Sequence, residues 1–196
     1  MNERRASGGR EATDRDVRWL SDAEQRAWRA FLEMQARLNA QLNRELQETS
    51  GLSSADFAVL VTLSEHPDGR VRVLELARGL QWEKSRLSHQ LTRMQQRGLV
   101  DRSYCSEDRR GAFIVLTDAG RRAVEAAAPT HVAGVRRYLF DGLDERQVAA
   151  LDAISRGTLD RIAAACAGHP DPIAAECDGA GAVTSADTTG EHVPPR

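Results

Sequence analysis

Cysteine is scarce in this chain. Its three residues, Cys105, Cys166 and Cys177, form no C-x-x-C pair and leave one over, so neither a disulfide scaffold nor a zinc knuckle is indicated and reduced thiols are expected. The five histidines, His66, His89, His131, His169 and His192, lie far apart without ligand spacing, and no metal or other cofactor is expected. Long apolar runs are absent as well: nothing approaches the roughly 18 uninterrupted residues of a membrane span, and the N-terminal segment has no apolar signal-peptide core. A soluble, cytoplasmic chain with no membrane partner follows. Phosphate-binding glycine loops, H-E-x-x-H, G-x-S-x-G and paired-carboxylate sites are missing too, so an enzyme is not expected. Nor is there an excess of one charge. With 27 Lys and Arg against 29 Asp and Glu, net -2, any nucleic-acid site must be a local basic patch.

The 196 residues, 41% hydrophobic, suffice for one domain or two small ones. Residues 1–18 mix arginines with acids without periodicity and read as a disordered arm. Residues 167–196 read as a disordered acidic tail, in which Asp171, Glu176, Asp178, Asp187 and Glu191 outnumber Arg196. Between them, residues 19–166 form the folded domain, and its signals are mostly helical. Ser21-Asp22-Ala23-Glu24 is a capping box opening a long helix with a broad apolar face (Ala27, Trp28, Phe31, Leu32, Met34, Leu38, Leu42, Leu46) that Gly51 ends. Ser53 or Ser54 caps a second helix, stopped by His66-Pro67-Asp68-Gly69, and Val71 and Val73 suggest a very short strand. Two short helices then follow, joined at Gln81-Trp82, the second lined by Leu87, Leu91 and Met94. This reads as a helix-turn-helix. Strand, polar turn and strand over residues 99–117 make it a winged helix. Thr117-Asp118 caps a fifth helix that Pro129 should kink or break, and Asp144 with Gln147 caps a sixth. The first, fifth and sixth helices carry more apolar face than a small winged lobe can cover, which argues for a second chain.

From Lys84 to Arg110 there are seven bases (Lys84, Arg86, Arg93, Arg97, Arg102, Arg109, Arg110) and three acids (Asp101, Glu107, Asp108), a local net of +4 that leaves -6 for the rest. Beside the apolar stripe of residues 83–97 stand Ser85, Arg86, Ser88, His89, Gln90, Thr92, Arg93 and Arg97. Short donors and forked guanidiniums read base edges and clamp phosphates. A merely solvated face would carry acids, and after Glu83 this one has almost none.

The ordered set Leu76-Ala77, Ser85-Arg86-Leu87-Ser88, Arg97-Gly98-Leu99-Val100, Asp108-Arg109-Arg110-Gly111 and Leu116-Thr117-Asp118-Ala119-Gly120 resembles the MarR family of bacterial transcriptional regulators, over about residues 20–165. The resemblance implies a mainly α fold: a winged helix-turn-helix of about six helices plus a small β-wing, in an intertwined homodimer. The DNA-binding lobe would span about 53–117 and the dimerisation helices about 21–49 and 118–165. It implies double-stranded DNA, as a pseudo-palindromic operator, for partner. Ser85, Arg86, Ser88, His89, Thr92 and Arg93 become the groove-facing residues of the recognition helix. Arg109 and Arg110 become the wing contacts, Arg110 entering a minor groove while Asp108 braces the hairpin. The implied function is a repressor of its own or a neighbouring promoter, released by a small, often aromatic or phenolic effector where the dimer helices meet the lobe. Trp19, Trp28, Arg29 and His131 are the candidate pocket residues, although Trp28 also suits packing. Two other readings share the scaffold. A winged helix used for protein contact alone would present a hydrophobic or acidic second face, and a redox sensor would need a reactive thiol. Cys105 has Arg102 and Arg109 nearby, but the family's oxidant-sensing members carry theirs in the first helix, where this chain has none.

Overall fold

A computed structural model describes residues 17–104 and 112–166. Among them are six α-helices, three strands and one 3-10 turn: α1 (Asp22–Ser50), α2 (Ser54–Glu65), β1 (Arg70–Arg72), α3 (Val73–Leu80), α4 (Lys84–Gln96), β2 (Val100–Tyr104), β3 (Ala112–Leu116), α5 (Asp118–Tyr138), the turn Phe140–Gly142 and α6 (Glu145–Cys166). The acidic tail, most of the N-terminal arm and the wing tip, with Cys105, Asp108, Arg109 and Arg110, lie outside the described residues.

Helix ends fall where local chemistry puts them. Ser21 Oγ accepts from the Glu24 N–H at 3.3 Å and the Glu24 carboxylate accepts from the Ser21 N–H at 2.8 Å. Ser53 and Asp56 repeat this reciprocal box on α2, and Asp144 with Gln147 on α6. Gly51 ends α1 in the left-handed region at φ 66°. Val73 departs from the sequence reading. It is the first residue of α3 rather than part of the strand, because β1 pairs with β3 only from Arg70 opposite Val115 to Arg72 opposite Phe113.

The sheet runs β1-β3-β2, all antiparallel, with Val71, Ile114, Val100 and Leu116 turned into a core shared with Leu60, Leu63, Leu76, Leu87, Leu91 and Met94. Pro129 does not break α5, which is continuous from Asp118 to Tyr138. The helical acceptor that loses its donor is the carbonyl of Glu125, and Glu125 and Pro129 are both exposed, so water can serve that oxygen.

α5 joins the lobe to the long helices at both ends. At its start, Thr117 Oγ1 reaches the carbonyls of Gly98 and Leu99 at 2.7 and 2.9 Å and accepts from the Gly120 N–H at 3.0 Å. At its end it packs on the second half of α1, where Leu42 and Leu46 are buried. There the Tyr138 hydroxyl donates to Glu45 Oε1 at 2.5 Å, and this bond, with one from Gln41, holds the Glu45 carboxyl below the usual range. No residue of the first half of α1 or of α6 is buried in the protomer. Trp28, Phe31, Leu32 and Met34 on α1 and Ile154, Leu159 and Ile162 on α6 are exposed, and α6 has no buried residue. No helix of the described residues is long and apolar enough to cross a membrane.

Candidate nucleic-acid interface

α3, the turn at Gln81 and α4 form the helix-turn-helix. Gln81 takes the left-handed conformation at φ 54°, and its N–H together with that of Trp82 closes on the last turn of α3. Leu87, Leu91 and Met94 lock α4 into the core at full burial. Ser85, Arg86, Ser88, His89, Thr92 and Arg93 are all exposed, so the structure brings the six recognition-helix candidates onto the solvent side of one element. No acid occurs from Lys84 to Val100. Glu83 makes no side-chain cap, so the first-turn N–H groups and the positive end of the helix dipole add to the basic face.

Two of these arginines are held in place. The Arg86 guanidinium lies over the Trp82 ring at 4.4 Å from its centroid, a cation–π contact of about 0.5–1 kcal/mol that orients a side chain otherwise free to sweep. Arg93 donates through Nη2 to Gln90 Oε1. Gln90 and Arg97, read from the sequence as members of the polar faces, have other work. Gln90 is 3% exposed. The positions 87, 90, 91 and 94 form one helical stripe, and that spacing was the available signal for its burial. Its amide donates to Asp56 Oδ1 at 2.6 Å, while Arg97 donates to Asp56 Oδ2 and to the Gly51 carbonyl, both at 2.8 Å.

The strands that carry the wing are in place, with Val100 to Tyr104 opposite Leu116 to Ala112. On the face opposite the core, Arg70 and Arg72 both stack on Phe113, at 5.3 and 4.8 Å. The four candidate effector residues separate. Trp19, Trp28 and Arg29 line a shallow hollow of about 310 Å³ with Leu20 and Gln25. His131 lines a different groove, of about 600 Å³, between α2 and α5 with Phe57, Val61, Arg121, Glu125 and Val132. Gly134, one turn beyond His131, meets α1 at Leu42, and the 14 residues from there back to Trp28 span roughly 20 Å of helix. Within one protomer the two sites are therefore distinct. His131 packs on the Phe57 ring at 4.6 Å, its Nδ1 is buried without a partner among the described residues, and burial pushes its pKa down. Cys166 is exposed at the end of α6. Among the described residues no group of three His, Cys, Asp or Glu is placed to hold a metal ion.

Known proteins resemble this chain in both architecture and sequence. The MarR family model matches residues 52–111, from the start of α2 to the wing. AbsC, a MarR family transcriptional regulator from Streptomyces coelicolor, superposes with a TM-score of 0.71 at 42% identity over 76% of this chain and 99% of its own. A second Streptomyces coelicolor MarR family regulator, solved in complex with DNA, gives a TM-score of 0.70 at 38% identity, covering 74% of this chain and 91% of its own. The transcriptional repressor MdtR of Bacillus subtilis is 29% identical over 106 residues, 54% of this chain and 67% of that protein.

Proposed function

Because the chain belongs to the MarR family and is a DNA-binding transcriptional regulator, we propose that it works as a cytoplasmic homodimer that represses its own or a neighbouring promoter until a small molecule releases it. The observation that carries this reading is the solvent face of α4, where Ser85, Arg86, Ser88, His89, Thr92 and Arg93 stand exposed with no acid among them. A helix used for protein contact alone would show apolar or acidic groups there.

In this reading α4 enters the major groove, Arg86 and Arg93 supply forked donors for guanine edges or phosphates, and the serines, His89 and Thr92 complete the contact. The exposed apolar residues of α1 and α6 pair with those of a second copy, which gives the two-fold axis that a pseudo-palindrome matches. Arg109 and Arg110 of the wing add minor-groove contacts and Asp108 braces their hairpin. The α2–α5 groove, apolar on one side and carrying His131 and Arg121, suits an aromatic acid. Its walls are the helix that holds α4 through Asp56 and the helix that starts on Leu99, so an occupant that spreads them would turn the recognition helix. The relatives found are regulators, and the reading assigns no catalytic group.

The test is operator titration at several salt concentrations with wild type, Arg86→Ala and Arg110→Ala. Arg86→Ala is expected to weaken binding by about 1–3 kcal/mol and to relax preference at particular base pairs. Arg110→Ala should weaken every site with a narrow minor groove and reduce the salt slope by about one counterion. If Arg86→Ala left affinity and preference intact, α4 would not be the reading element.

A further inference from the structure

Asp56 is 4% exposed and its carboxylate is fully engaged. Oδ2 accepts from the Ser53 N–H at 2.9 Å, the Ser53 hydroxyl at 2.8 Å and Arg97 Nη1 at 2.8 Å, and Oδ1 accepts from Gln90 Nε2 at 2.6 Å. Capping α2 needs only the Ser53 half of this set. The other half crosses to Gln90 of α4 and to Arg97 just past its end, 34 and 41 residues away.

A carboxylate only accepts, so Gln90 can meet it only through its amide NH2. That fixes which way round the amide sits and turns its carbonyl oxygen outward, where Arg93 Nη2 donates to it. Were the amide reversed, its NH2 would face the guanidinium, donor against donor. Arg93 keeps four further N–H donors for a ligand.

We propose that Asp56 and Gln90 are positioning residues for DNA readout: the buried carboxylate fixes the Gln90 amide, and the amide carbonyl aims Arg93 from the exposed face of α4. The same carboxylate holds Arg97, which ties the end of α4 to the Gly51 carbonyl where α1 meets α2. Arg97 thus acts as a clamp between the reading helix and the long helix, and the orientation of Arg93 depends on the α1–α2 corner. This inference rests on α4 being the DNA-reading helix.

The test is a double-mutant cycle on the full-length protein, using the duplex it selects from a random-sequence library, with Gln90→Met, Arg93→Ala and the pair. Positioning predicts that Gln90→Met lowers affinity about 5- to 10-fold when Arg93 is present and has almost no effect once Arg93 is alanine, a coupling typical of residues in one hydrogen-bonded network. A merely structural Gln90 would weaken binding by the same factor in both backgrounds, and that result overturns the proposal, as does an Arg93→Ala protein that binds like wild type. Asp56→Asn keeps the shape and, with its oxygen in the Oδ2 position, an acceptor for Ser53 and Arg97, while its NH2 faces Gln90 and makes the amide reverse; it carries the same cycle if Gln90→Met does not fold. If wild type enriches no duplex at all, the DNA-reading assignment itself falls and the proposal with it. If wild type binds and only the coupling is missing, the assignment stands and the positioning role does not.

Discussion

The double substitution Leu159→Glu/Ile162→Glu is expected to leave a monomer in place of the proposed homodimer and to lower operator affinity on the order of 100-fold, the scale of the advantage that linking two sites confers. Leu159 and Ile162 are 64% and 54% exposed, on a 22-residue helix none of whose residues is buried in its own protomer. Helices in proteins draw most of their stability from packing an apolar face, and the apolar face of α6 is exposed in the protomer, so a second copy is the surface that fits it. Each such side chain contributes about 1.5–3 kcal/mol when fully buried, and a glutamate there would instead have to be desolvated on both copies. Losing the two-fold axis separates the two recognition helices, so each half-site is bound alone. Light scattering reads the mass, and titration against the intact palindrome and a single half-site reads the affinity. A double variant that kept both its dimeric mass and its palindrome affinity would show that α6 is not the dimer helix.

Gly120→Ala is expected to destabilise the lobe by about 3 kcal/mol or more, at the upper end of what overpacking costs. A Cβ there would sit 2.0 Å from the Leu99 carbonyl oxygen and 2.9 Å from Leu116 Cδ1. The oxygen is backbone, held by the Thr117 hydroxyl, and cannot move aside without separating α5 from the end of α4. Alanine's better helix propensity recovers at most about 1 kcal/mol. Gly79→Ala is the control: it lies on α3 with nothing within 4 Å of an added Cβ and should be neutral or slightly stabilising. Chemical denaturation of both variants measures the difference. Equal stabilities would mean that the α5 start does not approach Leu99 this closely in solution.

The same Gly120 shows how far the sequence could be read. Leu116-Thr117-Asp118-Ala119-Gly120 identified a helix start and a family resemblance, because capping is a local interaction between neighbours in the chain. What the glycine is for depends on Leu99, more than twenty residues away, and no spacing rule points there. The helix ends at Ser21, Ser53, Gly51 and Asp144, the helix-turn-helix and the six exposed residues of α4 were legible for the same local reason. Asp56 was not, since in sequence it is one acid in the first turn of a helix, and its partners Gln90 and Arg97 look like solvated polar residues until the stripe at 87, 90, 91 and 94 is counted. The expected kink or break at Pro129 followed from the missing donor and the clash with the preceding turn, whereas α5 runs on without a break and both Pro129 and Glu125 lie on its exposed side, where water can serve the orphaned carbonyl. Grouping Trp19, Trp28 and Arg29 with His131 followed from residue type and from the effector site that the family resemblance implies, and the length of α1 that separates them within one protomer has no local signal.

The most direct test of the account is to let the purified protein select from a random-sequence duplex library and to sequence what it keeps. An inverted repeat is predicted, with half-site centres about one helical turn (~10 bp) or a multiple apart, as two α4 helices related by a two-fold axis require. Retention of duplexes without any common sequence, or of a single asymmetric site bound by one protomer, would contradict it.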